Sequence, residues 1–142
     1  MRSFTNAIAI AASLERVWEI LIDVERWREW TPSIERVERL DSAPLHVGSK
    51  VRIEQPKLRP AVWTITLWEP PRRFVWISHN PGVEARATHD LESTADGCVL
   101  KLGLEFGGLF GALAGRLNRH LIDRYLALEA AGLKRRCEHT TS

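Results

Sequence analysis

Between Ile34 and Phe106 the chain alternates apolar and polar residues in short bursts, separated by turns too brief to hold a crossover helix. Lys50 to Gln55 sets Val51, Ile53 and Gln55 on one side and Arg52 and Glu54 on the other. Ala61 to Trp68 sets Trp63, Ile65 and Leu67 against Thr64 and Thr66. Ile34 to Leu40, Arg73 to His79, Glu84 to Glu92 and Val99 to Phe106 read as strands in the same way. Alternation of period two marks a strand, since successive side chains point to opposite faces of a sheet. The joints are Pro70-Pro71, Asn80-Pro81-Gly82 and Ala95-Asp96-Gly97, all turn formers. Parallel neighbours need connections of a dozen or more residues, so strands joined this tightly make an antiparallel meander.

Helical spacing flanks the meander. Phe4 to Ile10 reads as a first strand, and Ser13 is placed to cap the helix that follows. Leu14, Val17, Trp18 and Leu21 then fall on one stripe. Asp23 to Trp30 predicts a second short helical piece, stopped by Pro32. After Gly107-Gly108, Leu109 to Arg136 predicts one continuous helix about 40 Å long. Its predicted apolar face holds Phe110, Leu113, Leu117, Leu121, Tyr125 and Leu128. The expectation is an α+β fold: a curved antiparallel sheet wrapped around a long C-terminal helix, with two short helices after the first strand. A chain of 142 residues suits one domain, taken as 1–142.

A sheet gripping a helix longer than the sheet is wide tends to leave space at one end. The early part of that helix holds Gly111, Ala112, Ala114 and Gly115. Glycine within a helix costs on the order of 1 kcal/mol against alanine. Close packing on the sheet and room for a ligand both explain that cost, and the sequence does not choose between them.

Several function classes are disfavoured. The 20 basic and 18 acidic residues are scattered, which argues against a nucleic-acid partner. Lys134-Arg135-Arg136 suits the negative end of a helix dipole. Cys98 and Cys137 have no CxxC spacing and fit reduced thiols, and no leader or long apolar run stands out, so a cytoplasmic protein without membrane insertion is expected. There is no phosphate-binding glycine loop, HExxH or GxSxG, and no cofactor or metal is implied.

The segments Trp18-Glu19-Ile20-Leu21-Ile22-Asp23 and Trp27-Arg28-Glu29-Trp30-Thr31-Pro32 resemble the opening of the START-like (helix-grip, SRPBCC) superfamily. Gly48-Ser49, Trp63 before Glu69-Pro70, His89-Asp90-Leu91-Glu92 and Glu129-Ala130-Ala131-Gly132 extend the likeness, closest to the polyketide cyclase/dehydrase branch. The resemblance implies a helix-grip fold and a hydrophobic ligand cavity, and it does not by itself imply a reaction.

Candidate site residues follow from strand faces. Gln55 shares the side of Val51 and Ile53, and Trp63 that of Ile65. His89 shares the side of Ala87 and Leu91, whereas the inward set of Arg73 to His79, including Trp76, stays open. An imidazole titrates near neutral pH, so His89 is the candidate general acid/base. The expected ligand contacts are Gln55, Trp63, Trp76 and His89 on the sheet, with Phe110, Leu113, Leu117, Leu121 and Tyr125 on the helix. Three functions are consistent with this: a binder of a small apolar or aromatic molecule, a cyclase or dehydratase acting through His89, and an interaction module meeting a partner through Trp27, Trp30 or an exposed helix face. Monomer and homodimer fit equally.

Overall fold

A computed structural model describes residues 2–139. The first strand β1 (Arg2–Ile10) leads into α1 (Leu14–Ile22) and a 3-10 helix (Val24–Glu29). The meander follows as β2 (Arg36–Arg39), β3 (Lys50–Glu54), β4 (Ala61–Glu69), β5 (Arg73–Asn80), β6 (Val83–Thr94) and β7 (Gly97–Gly107). Two helices close the chain, α2 (Gly111–Leu117) and α3 (Arg119–His139). All strand pairs are antiparallel in one seven-stranded sheet ordered β1-β7-β6-β5-β4-β3-β2. The sheet folds over α3, which packs on β1 and β7, and this is the helix-grip arrangement anticipated above.

Local chemistry fixes the early elements. The Ser13 hydroxyl accepts from the Arg16 N–H at 3.2 Å, satisfying one of the donors left free at a helix start. Leu14, Val17, Trp18 and Leu21 of α1 are all buried, as their spacing requires. The Trp27 indole N–H donates to the Leu21 carbonyl at 2.8 Å and locks the 3-10 helix onto α1. Gly132 of α3 meets the 3-10 helix's far end: a Cβ there would stand 2.0 Å from the Trp30 carbonyl oxygen, so only glycine permits the approach.

Three expectations are corrected. The final helix is not continuous but breaks at Asn118, whose side-chain amide donates to the Ala114 carbonyl at 2.9 Å. The buried side also differs from the expected one: it carries Gly111 and Gly115 of α2 and Ile122, Leu126, Ala130, Leu133 and Cys137 of α3, beside Tyr125. Second, a bulge lies between Ile65 and Leu67 of β4. The extra residue shifts the alternation, so Leu67 turns away and Trp68 joins the core against Trp18 and Phe74. Third, Trp27 and Trp30 are 3% and 7% exposed, which removes them as a surface for a partner. Trp27 instead packs against Trp76 at 5.4 Å and Trp30 at 5.8 Å. The basic run near the end of α3 is partly tied down, with Lys134 bonded to the Ala9 carbonyl and Glu138, and Arg136 to Glu29.

Candidate functional site: a cavity between sheet and helix

Cross-strand register explains where space remains. On the inner face, β5, β6 and β7 align in rows: Phe74–His89–Leu102, then Trp76–Ala87–Leu104, then Ser78–Ala85–Phe106. The first row fills its volume and is buried throughout. In the next two rows the central β6 position is an alanine, Ala87 and then Ala85, which leaves space between its larger neighbours. The result is a cavity of about 240 Å³ lined by these two rows with His89 and Leu102, by Ile53, Gln55 and Trp63, and by Ile122, Tyr125, Leu126 and Glu129 of α3. A dry cavity of about 150 Å³ accommodates benzene, so this one has room for more than a single ring. Exposed Arg59 and Asn80 mark its mouth.

The strand faces left open in the sequence are now assigned. Phe74, Trp76 and Ser78 point inward, and Trp76 is 2% exposed beside Trp63 at 6.1 Å. Gln55 lines the cavity and donates to the Ser33 carbonyl at 3.3 Å. Tyr125 lines it too, and its hydroxyl donates to the Pro56 carbonyl, tying the β3–β4 loop to α3. Burial raises the Tyr125 phenol above its ordinary value, with Arg124 opposing and Glu35 adding.

His89 stacks on Phe74 at 4.1 Å and stands edge-on to Trp76 at 5.3 Å. Burial of the ring lowers its pKa to about 4, against the raising effect of its bond to Phe74. Its Nδ1 lies 3.3 Å from the Phe74 carbonyl oxygen. A carbonyl only accepts, so Nδ1 carries the proton and Nε2 is left as a lone-pair acceptor on a neutral ring.

Glu129, absent from the sequence expectations, is a further titratable group of the lining. Burial pushes its carboxyl up to about 7, more than the Ser33 hydroxyl, donating to Oε1 at 3.4 Å, holds it down. Ser33 is itself bonded to Thr31 at 2.7 Å, so the cavity wall carries a chain from Thr31 through Ser33 to Glu129, with Gln55 on the Ser33 carbonyl. Near neutral pH the site thus presents a histidine without charge and a carboxyl that is partly protonated.

Phe110, Leu113, Leu117 and Leu121 do not line this cavity. The first three are 53%, 45% and 74% exposed, because the helix buries the side of Gly111 and Gly115 and turns its large apolar residues to water. Glu129 was detectable from spacing once the phase is right, since it lies three residues after Leu126 and four before Leu133. Among the described residues, no group of three or more His, Cys, Asp or Glu side chains is placed to hold a metal ion.

Residues 1–138 match the family described as polyketide cyclase / dehydrase and lipid transport. No curated protein matches the chain significantly. Among solved structures, a hypothetical protein of Helicobacter pylori superposes with a TM-score of 0.82 at 11% identity, over 96% of this chain and 88% of that one. A Thermus thermophilus protein gives 0.76 at 18% identity, over 96% and 97%. The di-domain aromatase/cyclase StfQ of the steffimycin biosynthetic pathway gives 0.71 at 13% identity, over 94% of this chain and 51% of StfQ. At these identities the superpositions establish a shared fold.

Proposed function

The chain belongs to the polyketide cyclase / dehydrase and lipid transport family, and we propose that it binds a small apolar or aromatic molecule in the cavity between sheet and α3. The observation that carries this reading is the paired substitution of alanine into the inner rows of β6, which opens an aromatic-walled space of about 240 Å³. Trp63 and Trp76 supply flat apolar surface, and Gln55, His89 and Tyr125 supply polar groups that orient a ligand. The chain acts as one domain in the cytoplasm, without a cofactor. The buried, unbonded thiols of Cys98 and Cys137 are in keeping with that compartment.

Mass spectrometry of the organic extract of gently purified protein tests this reading. A stoichiometric apolar molecule supports it. An empty extract together with failure to bind any apolar dye rejects it.

A second reading, chemistry of the cyclase or dehydratase kind, is favoured by one observation: burial moves His89 and Glu129 in opposite directions, to about 4 and about 7. Environments that separate two titratable groups assign a base and an acid. His89 Nε2 takes a proton from the carbon next to a ligand carbonyl, while the protonated Glu129 donates to the oxygen that becomes negative. Turnover of a polyketide-like substrate that survives in both His89→Phe and Glu129→Gln removes this reading and leaves binding intact.

A further inference from the structure

Helix α2 is built inside out. Gly111 and Gly115 are its buried residues, and a Cβ added to Gly111 would stand 2.9 Å from the Phe106 backbone carbon. The helix therefore lies close on β7 through its glycines. The large apolar residues of the helix and of the turn before it face water: Leu109 is 84% exposed, Phe110 53%, Leu113 45% and Leu117 74%. Leu113 and Leu117 are spaced by four on one side of the helix, and Leu109 and Phe110 stand exposed in the turn that leads into it. A surface helix ordinarily buries its apolar stripe, and contiguous exposed apolar patches mark interaction sites. The stripe is also held in place, because the Phe110 N–H donates to the Gly82 carbonyl at 2.7 Å and Asn118 caps the far end.

We infer that this stripe docks on an anionic lipid surface. The charge around it selects that occupant. From Gly107 to Ile122 the chain has no carboxylate, and Arg116 and Arg119 are exposed and enter no ion pair among the described residues. A lipid surface takes leucine and phenylalanine at the acyl boundary and arginine at the phosphates. Phe106 and Asn118, which bracket the segment, both line the cavity, so docking sets the cavity's edge against the lipid.

The test is co-sedimentation of the full chain with phosphatidylcholine vesicles, with and without phosphatidylglycerol. The wild type is expected to sediment with the anionic vesicles and much less with the neutral ones. Leu109→Ser/Leu117→Ser, at exposed positions that leave the fold intact by circular dichroism, weakens the partition about a hundredfold, or tenfold per leucine. Arg116→Glu/Arg119→Glu weakens binding to the anionic vesicles by at least about fivefold per arginine. Absence of sedimentation with either vesicle, or a leucine variant that sediments like the wild type, overturns the inference. So does a wild-type dimer that the leucine variant makes monomeric, which gives the stripe to a second copy. Dye binding in the cavity needs no vesicle, so the proposed function stands or falls separately.

Discussion

Replacing Glu129 by glutamine keeps the shape of the side chain and removes its titration. Burial in the folded state raises this carboxyl from 4.5 to about 7, which makes ionised Glu129 a destabilising element. The folded chain holds the proton more tightly than the unfolded chain between those values, so stability falls as pH rises through them. That displacement corresponds to roughly 3 kcal/mol, a large share of the 5–15 kcal/mol typical of a domain. His89 acts in the opposite sense: its pKa drops from 6.5 to about 4, so its burial withdraws roughly 3 kcal/mol of stability as pH falls across that window. In the wild type the two slopes oppose each other between about pH 4.5 and 6.5. Urea unfolding at pH steps from 4 to 8 is the assay. Glu129→Gln should match the wild type most nearly at pH 4 and gain on it progressively up to about pH 7. Within the same series the variant's stability should climb with pH where the wild type's is level. A difference between the two proteins that stays constant across the range would refute the assignment of Glu129 as a buried, proton-holding carboxyl.

Gly132→Ala should destabilise by about 2 kcal/mol or more, opposite in sign to the roughly 1 kcal/mol that helix propensity predicts, because the new Cβ meets the Trp30 carbonyl. Gly107→Ala, where the nearest atom would be 3.9 Å away, should change stability little in the same urea assay. Trp76→Ala removes the residue that joins Trp27, Trp63, Phe74 and His89 and should cost about 3–5 kcal/mol. Ser13→Ala should cost about 1 kcal/mol through loss of the α1 cap, measured as a lowered urea midpoint.

Much of the fold was legible because its signals are local. Alternation in Lys50–Glu54 and Arg73–Asn80, the Ser13 cap and the Leu14–Leu21 stripe are each decided within a few residues. What escaped depended on contacts between distant parts. The bulge in β4 is set by pairing with β5, and no residue of Ala61–Glu69 announces it. The break at Asn118 was hidden because Gly111 to Leu117 and Arg119 to His139 are each helical, and only their packing differs. Phe110, Leu113 and Leu117 drew the expected buried face to their side of the helix, whereas the buried side is that of Gly111, Gly115, Ile122, Leu126 and Leu133, to which Glu129 belongs. The β-strand part of the site fared better: Gln55, Trp63 and His89 face the cavity as their neighbours' alternation implies.

The proposed function rests on the space beside Trp76 accepting an apolar molecule. Titration with the neutral dye N-phenyl-1-naphthylamine, read by fluorescence, tests it most directly when paired with Ala87→Phe, which puts a ring into the lining opposite Trp76. Saturable one-to-one binding by the wild type, abolished in an Ala87→Phe variant that unfolds as cooperatively as the wild type, is the predicted result. Equal binding by both proteins, or none by the wild type, would contradict it.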